Sequence, residues 1–290
     1  MSRLRIAPAI LVASLLVTAL GGCAKKAEEP TLTPTVAPPV IVSAGVLKAG
    51  VEMDYPPFAG EDEGQKVGID IDVAAAIAER LGLTLELVDV STADIPKALE
   101  GKQIDIALGA TPITDAILGN VTFAGSYLSD GPALFSVSAS STAAATGTVA
   151  PEAGRDPDDL ASLKVGAQKE SAAFWALQSE YGEGFVTSFD TLRAAFEALA
   201  AGQVDVVACD AVVGAYLARD FPTIAYAAQL SPAVPLGVAV GKDATDLETA
   251  VRDTLDALAG EGVLDAIRAK WVGTLPKLEV SSSEENSVTP

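Results

Sequence analysis

This 290-residue chain contains no histidine and only two cysteines, Cys23 and Cys209. Without an imidazole, Ser-His-Asp and Cys-His nucleophile systems and histidine-ligated zinc sites are excluded. Asp210 directly follows an apolar run, Val204–Ala208 and Cys209, where an unpaired carboxylate is costly to bury. Asp210 therefore reads as a functional acid and Cys209 as a buried structural thiol. Gly241-Lys242 is followed by Asp243 and lacks the upstream glycine of a phosphate-binding loop. Gly182-Glu183-Gly184 is too short for a dinucleotide fingerprint. Neither cofactor nor metal is expected. Tyr55-Pro56-Pro57-Phe58 is an aromatic pair on a rigid turn, since each proline fixes its φ and biases its predecessor to extended geometry.

Cys23 has a separate chemistry. Arg3 and Arg5 precede an apolar run, Ile6–Leu20, of about 15 residues, short of the ~20 that span a bilayer. This reads as a signal peptide over residues 1–22. Leu20-Gly21-Gly22-Cys23 is similar to a bacterial lipobox, in which the cysteine thiol takes a diacylglycerol and becomes the mature N-terminus. Several acyl chains on one residue suffice for stable anchoring. Residues 23–40 carry Lys25, Lys26, Glu28, Glu29 and four prolines, and read as a disordered tether. The expected location is extracytoplasmic, on the cell membrane, with membrane lipid held through Cys23.

Between tether and tail lie about 235 residues, enough for one large or two small α/β lobes. The net charge is −20, and removing the signal with its two arginines makes it more negative. A pI near 4.2 argues against nucleic acid. It would steer cationic ligands, or serve only solubility.

Strand and helix patterns alternate. Val42–Val51 reads as a strand, Val73–Leu81 as a helix ended by Gly82, Leu83–Val90 as a strand, Ala93–Glu100 as a helix and Ile104–Leu108 as a buried strand. The second half repeats this with Lys164–Ala167, Ser171–Tyr181, Thr191–Ala200 and Val204–Ala208. Ala98-Leu99-Glu100-Gly101-Lys102-Gln103-Ile104-Asp105 is echoed by Ala198-Leu199-Ala200-Ala201-Gly202-Gln203-Val204-Asp205. Two such units imply an α/β fold of two Rossmann-like lobes joined by two hinge strands, Gly131–Val137 and Ala233–Val240. Helices at Thr245–Ala259 and Val263–Trp271 close the first lobe. The expected boundaries are 41–130 plus 234–275 for lobe 1, 131–233 for lobe 2, and 276–290 for a polar tail. Open α/β sheets bind ligands at the carboxyl ends of their strands, so both lobes should point those ends into one cleft.

From Val46 to Gly273 the chain resembles the extracellular solute-binding proteins for polar amino acids, bacterial family 3, of the type II periplasmic-binding-protein fold. The resemblance is carried by Tyr55–Phe58, Val67–Ala78, Gly101–Asp105, Asp205–Asp210, Pro235–Val240, and Glu261–Asp265 with Lys270–Gly273. It implies a non-enzymatic monomer whose lobes close on a small polar solute and dock on an ABC permease. It also implies the site. Tyr55, with Phe58, would stack on the ligand, and Glu52 and Asp210 would pair with its ammonium group. The strand end at Ala110 and Thr111 would offer backbone groups, and the helix start at Gln168, Ser171 and Ala172 would offer N–H groups.

One departure matters. Amino-acid-binding members carry an arginine that grips the ligand's carboxylate where this chain has Ile117, and Pro112 replaces a hydroxyl residue and removes an N–H. A second aromatic near Thr92 is also missing. Losing a bidentate arginine would cost an ordinary amino acid ~100-fold or more in affinity. The expectation leans to an amine or another cationic or neutral polar solute. Two further readings stay open: a sensory surface domain without transport, and an enzyme like the cyclohexadienyl dehydratases of this fold.

Overall fold

Short apolar strands alternating with amphipathic helices build two five-stranded sheets in the computed structural model. It describes residues 32–113, 121–138 and 157–280, so Cys23 and Ile117 lie outside the described residues. The first sheet holds β1 (Val46–Val51), β4 (Thr84–Asp89), β5 (Ile106–Ala107), β6 (Thr122–Asp130) and β12 (Val234–Val240), in the order β4-β1-β5-β12-β6. β1 runs parallel to β4 and β5, and β12 runs antiparallel to β5 and β6. The second sheet holds β7 (Pro132–Val137), β8 (Val165–Gln168), β9 (Val186–Phe189), β10 (Val206–Asp210) and β11 (Ile224–Gln229), in the order β11-β7-β10-β8-β9. There β8, β9 and β10 are parallel, and β7 is antiparallel to β10 and β11. A hairpin of β2 (Gly60–Asp62) and β3 (Gln65–Val67) stands apart.

Seven helices among the described residues complete the layers. They are α1 (Ile69–Arg80), α2 (Ile95–Glu100), α3 (Ala172–Tyr181), α4 (Leu192–Ala200), α5 (Ala211–Ala218), α6 (Thr245–Gly260) and α7 (Val263–Val272). Ser171 and Thr191 start α3 and α4 as N-caps, accepting from the N–H groups of Phe174 and Ala194. Leu47, Ala49, Val51, Ile106 and Leu108 are fully buried in the first lobe, as are Phe135, Phe196 and Val206 in the second.

The echoed segments fold alike, bond for bond. Gln103 N donates to Ala98 O and Gln203 N to Ala198 O, each at 2.9 Å. Asp105 N and Asp205 N donate to Lys48 O and Lys164 O, each at 2.8 Å. Each aspartate's carboxylate accepts the N–H of that same lysine at 2.8 Å, so each clamps the start of the neighbouring strand. Both turns need a left-handed residue. The second lobe uses Gly202 (φ +68), whereas the first forces Lys102 to φ +52.

The chain crosses between the sheets at points, not along strands. Gly131 alone separates β6 from β7, and β7 and β12 lie within their own sheets. A Cβ on Gly131 would come within 2.9 Å of Ala233 Cα, so the two crossings touch backbone to backbone. β6, β9, β11 and α5 were not foreseen from the sequence. α1 starts at Ile69, not Val73, because the Ile69-Asp70-Ile71-Asp72 alternation has the period of a strand while its backbone is helical.

Replacing Lys102 by glycine should relieve its backbone strain and raise stability by up to ~1 kcal/mol. Urea unfolding of the variant against the parent measures it; a lower midpoint would refute the strain.

Candidate functional site

β1 and β5 run side by side in the first sheet, as β8 and β10 do in the second, so each lobe brings two carboxyl strand ends together. Glu52 follows β1 and is half-buried; its carboxylate accepts from Thr92 N at 3.0 Å and from Thr92 Oγ1 at 2.6 Å. The Thr92 hydroxyl bond holds the Glu52 pKa below its ordinary value. Glu52 is therefore a fixed, ionised acceptor at the rim of the first lobe.

Tyr55 sits in the turn that the prolines stiffen. Its carbonyl accepts from Phe58 N and Ala59 N, and its ring stacks on Phe58 with centroids 5.2 Å apart. Tyr55 is 39% exposed while Phe58 is 1% exposed, so Phe58 is a correction: it is a core residue that backs Tyr55 and cannot itself face a ligand. Burial raises the Tyr55 pKa to about 12, helped by the charges of Asp210, Asp130, Glu52 and Asp70. Tyr55 thus marks where acids from both lobes converge.

Asp70 and Asp130 escaped the sequence reading. Asp70, in the first turn of α1, is fully buried. It accepts from Tyr127 OH at 2.5 Å and from Ala110 N at 2.9 Å, with a further bond from Gly109 N. The amides of Ala110 and Thr111 are therefore not free to donate to a ligand. The amides of Gly109 and Ala110 serve Asp70, the Thr111 amide and hydroxyl both serve Leu108 O, and the Thr111 carbonyl accepts from Gly237 N.

Asp130 ends β6 and is also buried. It accepts from Gly131 N at 2.8 Å and, across the crossing, from Val212 N in the first turn of α5 at 3.0 Å. Ala211 N donates to Gly131 O. The start of α5 is therefore satisfied by the crossing segment. Asp210, at the N-cap position of α5, makes no side-chain cap bond. Burial alone raises the Asp210 pKa, and its carboxylate is left for something else. In the second lobe, Gln168 and Ala172 are exposed, and half-buried Ser171 spends its hydroxyl oxygen on Phe174 N at 3.2 Å.

Burial raises Asp70 and Asp130 to about 7 each; the Asp210 charge adds to the rise of Asp130, and their hydrogen bonds oppose it. Buried Cys209 is raised by the same burial and is a structural thiol. Among the described residues no group of three or more acids or cysteines could hold a metal ion. A cavity of about 860 Å³ lies elsewhere: it is lined by Pro38, Pro39, Lys102, Asp105, Lys242 and neighbouring residues, at the opposite strand ends, and Glu52, Asp70, Asp130 and Asp210 are not among its lining.

Comparison with known proteins gives a consistent picture. Residues 47–274 match the family described as bacterial extracellular solute-binding proteins, family 3. The L-cystine-binding protein TcyJ of Escherichia coli (strain K12) is 26% identical, over 79% of this chain and 83% of that protein. The L-arginine-binding protein of Pseudomonas aeruginosa is 26% identical, over 80% and 90%. A solved ancestral cationic amino acid solute binding protein, AncCDT-1, superposes with a TM-score of 0.65 at 26% identity, over 79% of this chain and 96% of that one. Over only 31% of the chain there is 33% identity to the cyclohexadienyl dehydratase of Pseudomonas aeruginosa.

An aspartate with a pKa near 3.9 unfolded and about 7 folded holds more protons when folded, so stability falls as pH rises between those values. Unfolding free energy should drop by on the order of 2–3 kcal/mol for each of the two aspartates from pH 5 to pH 8. Asp130→Asn, which keeps the acceptor for Val212 N, should flatten that slope. Urea midpoints across pH measure both, and a rising profile would contradict the assignment.

Proposed function

The chain belongs to the bacterial extracellular solute-binding proteins of family 3, and on that premise we propose that it captures a small polar solute and delivers it to an ABC importer. The solute is an amino acid, an amine or a related compound. One observation carries this reading: the half-exposed Tyr55 ring of the first lobe lies in the field of Asp210 from the second. An aromatic face on one lobe and an uncapped acid on the other form two sides of a trap. Closing such a trap excludes water and strengthens every polar contact inside it.

Lobe movement is available at the crossings, where Gly131 is the whole connection between β6 and β7. Beside them, α5 meets α7 through Tyr216 and Trp271, with ring centroids 6.3 Å apart, and through Arg219 Nη1, which donates to Trp271 O at 3.2 Å.

The family is extracellular or periplasmic, and no helix among the described residues is long and apolar enough to cross a membrane. The proposed attachment is the lipid on Cys23; the expected tether to residue 40 is shortened, since Thr35 N already donates to Leu81 O at 3.0 Å and Val36 and Val40 pack on the core. A Cys23→Ser change should release the protein from the membrane fraction, measured by fractionation and by mass spectrometry of the N-terminus.

Binding tests the reading directly. Titration calorimetry of the intact protein should find a polar solute that also raises its melting temperature. Asp210→Asn should weaken that solute about 10–100-fold, and Tyr55→Ala about 3–10-fold. Cells lacking the protein should lose uptake of the same solute. If no member of a broad panel of amino acids, amines and sugars binds, the receptor role is wrong.

A further inference from the structure

We infer that the solute carries positive charge and no carboxylate, so that the cleft recognises an aliphatic amine or guanidine and not an amino acid. This rests on the receptor reading above and gives it a substrate class. Three independent features of the site support it.

The acceptors come first. Glu52, Asp70, Asp130 and Asp210 all act on the Tyr55 phenol, and no lysine or arginine is among the charges acting on any of these five groups. Glu52 lies on the first lobe and Asp210 on the second, and the charge of each raises the Tyr55 pKa. The exposed ring itself favours a cation over its face.

The donors come second. A carboxylate needs N–H groups or a guanidinium, and among the described residues the amides at the β5 strand end and the Val212 amide of α5 are already used. Gly109 and Ala110 donate to Asp70, Thr111 donates to Leu108 O, Pro112 has no N–H, and Val212 donates to Asp130. The helix start at α3 is capped by its own Ser171. A helix terminus supplies only about half a unit of positive charge, set here against four acids.

The guanidiniums come third. Every arginine among the described residues is engaged elsewhere: Arg80 with Glu261, Arg193 with Asp220, Arg219 with the Trp271 carbonyl, Arg252 with Glu248, and Arg268 with the Leu275 carbonyl. None of these five is left to grip a carboxylate.

Matched pairs isolate the carboxylate. Agmatine is arginine without it, and 1,5-diaminopentane is lysine without it. Calorimetric titration at pH 7.5 should show each decarboxylated member binding at least ~10-fold tighter than its amino acid. Asp210→Asn should weaken the amine at least ~10-fold while the circular dichroism spectrum is retained. If arginine or lysine binds as tightly as its partner, the inference fails and the receptor stands. It fails in the same way if neither pair binds while a neutral or anionic solute does. If nothing in the panel binds, the receptor reading falls with it.

Discussion

Four carboxylates held around one tyrosine, without a cation among them, set the terms for everything near the crossing. Burying such groups is expensive unless hydrogen bonds offset the lost hydration. The fold meets this by giving its local donors to three of the four: Tyr127 and two amides to Asp70, two amides to Asp130, and the Thr92 hydroxyl and amide to Glu52. Asp210 receives none of the cap bonds its position would ordinarily supply. The unsatisfied acid is thus a product of how its neighbours are satisfied.

The same allocation organises the joint between the lobes. Asp130 belongs to the last residue of β6, yet it closes the first turn of α5, so one side chain ties the first lobe's sheet to the second lobe's helix. α5 in turn lies close on β7 only because Gly214 has no side chain: a Cβ there would meet Phe135 at 2.2 Å and Cys209 Sγ at 2.6 Å. Asp210, the strand that ends in it, and the helix it begins are therefore positioned by packing that involves no ligand.

Much of this was legible in the residues. The helix–turn–strand echo identified two similar units, and the structure repeats even the clamps of Asp105 and Asp205. Strands with continuous apolar runs and helices with clear caps at Ser171 and Thr191 fell where their patterns put them. β6 and β11 were missed because each is only partly buried and mixes polar with small residues, which blurs its period. Glu52, Tyr55 and Asp210 were nominated from motif position, and the charges of both acids raise the Tyr55 pKa. Asp70 and Asp130 were not, because nothing local in the sequence distinguishes a buried aspartate from a solvated one; their burial is created by β6 and α5, both unread. That the Ala110 amide would be taken up within the protein was unreadable for a related reason, since its partner Asp70 is distant in the chain.

The contact of Gly131 with Ala233 has a mechanical consequence. Where two strands of chain touch at their backbones, they define a pivot about one residue wide. The Asp130 cap lies on that axis and Asp210 stands one residue from the helix it holds, so the lever arm from solute to pivot is short. A small rotation at the joint then moves the outer rims of the lobes through a much longer arc. Under the proposed closure on a solute, a ligand acting on Asp210 would pull close to that joint, and a small local displacement there would be amplified at the outer rims.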